Sequence, residues 1–180
     1  LRKLRSIRER PAEAQAREIP GHWEGDLIKG AYNGSAIGTL VDRSTRFVIL
    51  ARVDDSSAEA VLEGFTRRLR TLPKVLRKTL TYDQGKEMAR HEALEKRVHL
   101  RVYFADPHSP WQRPTNENTN GLLRQYFPKG TDLSPYSQQY LTKVAEELNN
   151  RPRKSLGFRT PAEAMAEKLK DLNSGVALQN

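Results

Sequence analysis

Three strand-length apolar runs crowd into one short stretch of this chain, at residues 23–28, 37–41 and 47–53, and single strands then alternate with helical segments. Asn33-Gly34 and the polar residues 42–45 supply turn chemistry between the runs, so they predict an antiparallel meander. Ser56 and Glu59 have capping-box spacing, and Ala58, Val61, Leu62, Phe65 and Leu69 recur at helical intervals before Pro73. Residues 79–82 read as a strand leading through Gln84-Gly85 into a helix that runs to about Arg97. Residues 101–104 read as a fifth strand. After a Pro-rich loop, residues 115–127 are expected to be helical. Leu141, Val144, Ala145 and Leu148 mark a further helix that stops before Pro152. The order β-β-β-α-β-α-β-α-α predicts an α/β protein: a mixed five-stranded sheet flanked by helices, with ligands beside strand ends.

A chain of 180 residues suits one domain with a substantial core and short tails. Its 31 Lys and Arg against 22 Asp and Glu leave a net charge of +9, which points to a polyanionic partner, nucleic acid first. Cysteine is absent, so disulfides and thiolate zinc sites are excluded. No apolar run is long enough to cross a membrane and no signal pattern opens the chain, so a cytoplasmic address is expected. The first residue is Leu1, which suggests a fragment. Residues 1–18, with Arg2, Lys3, Arg5, Arg8 and Arg10 around Leu1, Leu4 and Ile7, read as a basic linker or truncated upstream segment. A catalytic core is expected at 19–168 and a C-terminal tail at 169–180.

Three carboxylates sit in unusual contexts: Asp26 in HWEGDLIKG, Asp83 in LTYDQGKE and Glu117 in QRPTNENTNGLLRQY. Each has a structural alternative when taken singly. Asp26 shares its strand face with His22 and Glu24, and a charge there could protect a sheet edge. Asp83 closes a strand before a turn into a helix, where Asp caps well. Glu117 follows Pro114 in a first helical turn, where a carboxylate suits the helix dipole. Arg124 lies seven residues beyond Glu117, two turns along the same face. In combination the three acids read as a metal site for phosphoryl transfer on nucleic acid, since oxygen ligands alone can hold paired Mg²⁺ ions.

The strings WEGDLI, TYDQGKE and DPHSPWQRPTNENTNGLLRQYFPKG resemble the catalytic core of bacterial insertion-sequence transposases of the IS-thirty family, relatives of retroviral integrases. LNNRPRKSLGFRTPAEAM resembles the segment that closes such cores, and the likeness runs from about Ile19 to Met165. The resemblance implies a ribonuclease H-like fold in which Asp26, Asp83 and Glu117 are catalytic and bind two Mg²⁺ ions, with Mn²⁺ able to substitute. Asp26 would bridge the pair, and Arg124 matches the family's basic residue one helix face on. It implies cleavage at transposon ends followed by transfer of the 3′-hydroxyl strand to target DNA. Transposon-end DNA and target DNA are the expected partners, in a homodimer or higher assembly associated with the bacterial nucleoid. Pro114 stands where relatives carry Gly, and Ala105 where they often carry Cys. Pro114 is expected to stiffen the approach to Glu117.

Arg113, Arg124, Lys129, Arg151, Arg153 and Lys154 are candidate phosphate contacts. Trp111 could stack on an unpaired base, but a buried indole covering its loop is the simpler expectation. His22, His91, His99 and His108 lack paired ligand spacing. His108 reads as loop-structural and His91 as a supporting group behind the acids. Asp42, Asp54, Asp55 and Asp106 read as caps or turn formers. Two other functions stay open: a nuclease that cleaves without joining, and a catalytically silent DNA-binding or assembly module.

Overall fold

The computed structural model describes residues 4–179, with side chains to Gly175. Leu1, Arg2 and Lys3 of the basic start lie outside the described residues. Five strands form one mixed sheet: β1 (His22–Lys29), β2 (Ala36–Asp42), β3 (Val48–Val53), β4 (Thr79–Tyr82) and β5 (Arg101–Phe104). Their spatial order is β3-β2-β1-β4-β5. The expected meander is the antiparallel half, β1 with β2 and β2 with β3, while β4 and β5 add on in parallel to β1. The helices are α1 (Ala12–Ala16), α2 (Ala58–Leu69), α3 (His91–Val98), α4 (Pro114–Leu123), α5 (Gln138–Asn149) and α6 (Pro161–Gln179). Among the described residues, no helix is long and apolar enough to cross a membrane.

Side-chain alternation divides the core between the two sheet faces. Trp23, Leu27, Leu40 and Leu80 pack with Val61, Leu62, Phe65 and Leu69 of α2 and with Leu94 and Val98 of α3. On the opposite face Ile28, Ile37, Val41, Val48 and Leu50 meet Leu123 and Phe127 together with Leu141, Val144 and Leu148 of α5. Within the first cluster Gly38 admits the Phe65 ring, because a Cβ at that position would lie 2.6 Å from Phe65 Cε1. Gly38→Ala is therefore expected to lower stability by about 1–3 kcal/mol, read as a shift of the denaturant midpoint at unchanged slope.

Both sheet edges are covered. Along β3, Gln138 and Asn149 of α5 act as surrogate strand partners: Gln138 accepts from Arg52 N and donates to Leu50 O, and Asn149 accepts from and donates to Val48. At the other edge Ser6 bridges Phe104 in parallel, and Phe104 N donates to Arg5 O at 2.8 Å. Residues 4–18, read as a linker, thus pack against the sheet: Arg10 reaches Thr81 Oγ1, Arg17 reaches Thr115 Oγ1 and Arg5 pairs with Glu95. Pairing edge strands with side-chain amides and a docked segment removes unsatisfied backbone groups.

Several local expectations are corrected. The cap of α2 is Ser57, whose side chain accepts from Ala60 N, whereas the Ser56 hydroxyl is buried without a partner. The helix expected from Gln84 to about Arg97 is a 3₁₀ turn, Lys86–Met88, followed by α3, which His99 ends in a left-handed conformation at φ 56°. The helix expected over 115–127 ends at Leu123. Beyond it Gln125 and Tyr126 donate three residues back, to Leu122 and Leu123, and this tighter turn swings Phe127 into the core ahead of Pro128. Two helices, α1 and α6, stand outside the order read from the sequence. Thr160 Oγ caps α6 by accepting from Glu163 N, and Pro161 fills its first position.

Candidate active site

The site forms where β1, the end of β4 and the first turns of α4 meet. Asp26 lies mid-strand in β1 on the face toward α4, opposite the face where Trp23 and Leu27 are buried. Its Oδ1 accepts from Leu27 N at 2.8 Å, and its Oδ2 accepts from Nδ2 of both Asn116 and Asn120 at 3.1 Å. Those two asparagines are one turn apart on α4, so they grip the carboxylate from one helix face. Asn116 is itself fixed by its backbone N–H, which donates to Glu24 Oε2 at 2.7 Å. Glu24 is wholly buried and ion-paired with buried Arg43, whose Nε donates to Ala14 O.

Asp83 follows β4 directly and its Oδ1 accepts from Gly85 N at 2.9 Å, closing a turn rather than capping a helix: the 3₁₀ turn Lys86–Met88 begins after Gly85 with no side-chain cap. It also borders an open cleft of about 450 Å³ lined by Gln84, Gly85, Ala105, His108 and Arg113 among others. The loop beyond is latched by Asp106 and Gln112: Asp106 N donates to Gln112 Oε1, and Gln112 Nε2 returns a bond to Asp106 Oδ2.

Arg113 joins the two aspartates. Its Nη1 lies 3.9 Å from Asp26 Oδ2 and donates to Gly25 O at 3.0 Å, while Nη2 lies 3.6 Å from Asp83 Oδ2. The side chain is 9% exposed. Glu117 sits one turn along α4, its N–H donating to Arg113 O, with its carboxylate exposed and unpaired among the described residues. Asp26 and Asp83 therefore converge on one guanidinium, and Glu117 lies one turn beyond that arginine on α4. Among the described residues no group of three or more His, Asp or Glu side chains is already gathered tightly enough to hold a metal ion. The donor chemistry does suit a hard divalent cation: the acids offer only oxygens, and the Oδ1 of Asn120 is buried beside Asp26 without a partner.

Burial pushes the Asp26 carboxyl above the usual carboxylate range. The Arg113 guanidinium and the Leu27 N–H pull it back down, and Asp83 raises it. Burial likewise raises Glu24 against the opposing pull of Arg43. Tyr82, sealed beneath these acids, is raised by burial first and by the charge of Asp26 next.

The candidate phosphate contacts differ in how far they are already engaged. Arg124 donates to Phe127 O and Lys29 O, Arg151 to Gln125 and Tyr126, and Arg153 to Leu148 O, while Lys129 and Lys154 are exposed. Arg113 is buried between acids instead of being displayed to solvent. The expectation of a buried Trp111 is overturned: it is 70% exposed on the short 3₁₀ turn leading into α4. His91 is bonded to Met88 O and packs edge-on against Phe104, with no contact to the acids. His108 sits in its loop at φ 55°. Asp42 is a buried turn former whose oxygens accept from Gly21, Ser44 and Thr45, and Asp55 accepts from Ser57 N. Asn116, Asn120, Glu24 and Arg43 went unread in the sequence. The i, i+4 asparagines flanking Glu117 in NENTN were the available signal for the first two.

A sequence profile of the family described as integrase core domain matches residues 16–110. Among curated proteins, the chain is 58% identical over 91% of its length to the transposase for insertion sequence element IS1086 of Cupriavidus metallidurans, covering 48% of that protein. It is 52% identical over 87% of its length to the transposase InsI for insertion sequence element IS30A of Escherichia coli, covering 41% of it. A transposase for insertion sequence element IS4351 of Bacteroides fragilis is 40% identical over 87% of this chain and 48% of its own length. The chain thus spans about half the length of these relatives. In shape it matches, at a TM-score of 0.63 and 18% identity, a chain of the simian T-cell lymphotropic virus intasome in complex with PP2A regulatory subunit B56 gamma. That match covers 81% of this chain and 54% of the other, and the shared fold is the ribonuclease H-like integrase core.

Proposed function

The chain belongs to the integrase core domain family, among the IS30-type insertion-sequence transposases, and from that premise we propose that it carries out the DNA cleavage and joining of transposition. The observation that carries this reading is the convergence of Asp26 and Asp83 on a single guanidinium, one helical turn from Glu117. Asp26, Asp83 and Glu117 would hold divalent cations, Mg²⁺ or in its place Mn²⁺. Such ions supply charge stabilisation at the attacking and leaving oxygens of a phosphodiester.

The protein groups prepare that chemistry. Asn116 and Asn120 fix the rotamer of Asp26 and Gly85 N fixes Asp83, and the exposed Glu117 would complete the trio with DNA and cations bound. Two in-line displacements follow at one site. Water attacks the phosphodiester at a transposon end and the 3′-oxygen leaves as a hydroxyl. That hydroxyl then attacks a target phosphodiester, joining the strands and releasing a target 3′-hydroxyl. No covalent enzyme intermediate forms. Trp111, exposed in the turn before α4, would stack on an unpaired base. Two ends must meet, so a dimer or higher assembly on DNA is part of the reading.

Pre-cleaved end DNA incubated with the chain, target plasmid and Mg²⁺ or Mn²⁺ tests it. Joined products support a transposase, hydrolysis alone a nuclease. The second reading, a silent DNA-binding or assembly module, predicts neither product. For DNA affinity, log K against log salt should be linear. Lys129→Ala and Lys154→Ala are each expected to reduce the slope by about one unit, measured by fluorescence anisotropy. Slopes equal to wild type would remove those lysines from the interface.

A further inference from the structure

We propose that Arg113 is a positioning residue standing in for the divalent cations: it holds Asp26 and Asp83 together in the cation-free protein and yields when cations enter. This rests on the reading that the acids bind cations, and adds the group that keeps the site assembled beforehand.

Two carboxylates drawn to one point repel each other, and a positive charge between them offsets that repulsion. Arg113 supplies it, yet its hold is electrostatic. At 3.6 and 3.9 Å its nitrogens lie beyond hydrogen-bond distance of both carboxylates, and among the described residues its side chain bonds only to Gly25 O. Its Nε is buried with no partner among the described residues. A guanidinium carries five donors, so this one is poorly satisfied for a buried group. A second, independent observation points the same way. Asn120 donates to Asp26 and leaves its own Oδ1 buried and unpartnered. Exchanging the amide's nitrogen and oxygen would set oxygen against carboxylate, so the free acceptor is a property of the site and suits a cation or its bound water.

The backbone limits how Arg113 approaches. It precedes Pro114, which disfavours the helical region, and it adopts φ −131°, ψ 55° at the start of α4. The guanidinium lies between the middle of β1 and the end of β4, while Glu117, one turn on, is exposed and unpaired among the described residues. Yielding frees both aspartates to bind cations.

A purely structural tether and a cation stand-in predict opposite signs when Arg113 is removed. Mn²⁺ is titrated calorimetrically into wild type, Arg113→Lys and Arg113→Gln, and each is melted in EDTA and in Mn²⁺. Arg113→Gln is expected to bind Mn²⁺ at least about tenfold more tightly, because no protein charge opposes entry. It should melt lower than wild type in EDTA and recover most of that loss in Mn²⁺, with Arg113→Lys between the two. Equal or weaker Mn²⁺ affinity in Arg113→Gln, or an equal melting deficit in both buffers, overturns the proposal, as does a variant that stays unfolded with Mn²⁺ present. If wild type binds Mn²⁺ and Asp83→Asn does not, that failure belongs to the Arg113 role alone. If no form binds Mn²⁺, the cation-site reading falls with it.

Discussion

Asp26→Asn is expected to reduce strand cleavage and joining at least about a thousandfold, which is about 4 kcal/mol of transition-state stabilisation, while leaving the fold in place. The substitution keeps size and shape but removes the charge that a divalent cation needs. Its structural consequences are small and partly offsetting. An amide oxygen can still accept from Asn116 and Asn120, but its NH₂ then faces the Leu27 N–H that now donates to Oδ1. Against that loss, the wild-type carboxyl is raised by burial, so its ionised form is disfavoured in the folded state. The sign follows from linkage: the wild type is relatively favoured below the ordinary carboxylate pKa and loses that advantage as pH rises through the raised value. Asparagine does not titrate, so the stability of the variant relative to wild type should improve as pH rises through that window. Denaturation at several pH values beside a cleavage assay separates catalysis from folding. Full activity in Asp26→Asn would end the transposase reading.

Why the sequence revealed some of this and concealed the rest comes down to the range of the interactions. The strands are written in local alternation and the long helices in 3.6-residue spacing, so the bounds of β4 and β5 can be read residue by residue. Short-range competition decides what the pattern leaves open. Ser56 and Ser57 both suit a cap, and Asp55, by accepting from Ser57 N, favours the second. Residues 4–18 look like a charged tail because their partners, Thr81, Phe104 and Thr115, are distant in sequence. A buried indole covering its loop is the expectation for Trp111, yet the loop is held by Asp106 and Gln112 and the indole is exposed. At the site, the acids were legible as residue types in characteristic strings. The clamp on Asp26 and the placement of Arg113 arise only when α4 is laid across β1.

Beneath that clamp, Arg43→Met is expected to destabilise the protein by about 3 kcal/mol or more, since it leaves Glu24 charged, wholly buried and without its ion-pair partner. For a chain of 180 residues that is a fall in melting temperature of about 6–12 °C, measurable by calorimetry. The intact pair is no great source of stability, because burial disfavours the charged form of both partners, raising Glu24 and lowering Arg43. What is costly is removing one charge and leaving the other. Arg10 and Arg17 also feel Glu24 and soften the effect, which sets the expected value at the low end for a broken buried pair. Adding Glu24→Gln should recover much of the loss: a neutral amide is cheaper to bury, and its oxygen can still accept from Asn116 N. Recovery of stability need not restore rate. Glu24 sets the height of Asn116 over Asp26, so a double variant that melts near wild type but cleaves more slowly would show that the buried pair serves the geometry of the acid above it. If Arg43→Met melts at the wild-type temperature, Glu24 is either neutral in the folded protein or compensated by its other arginines, and the pair has no such role.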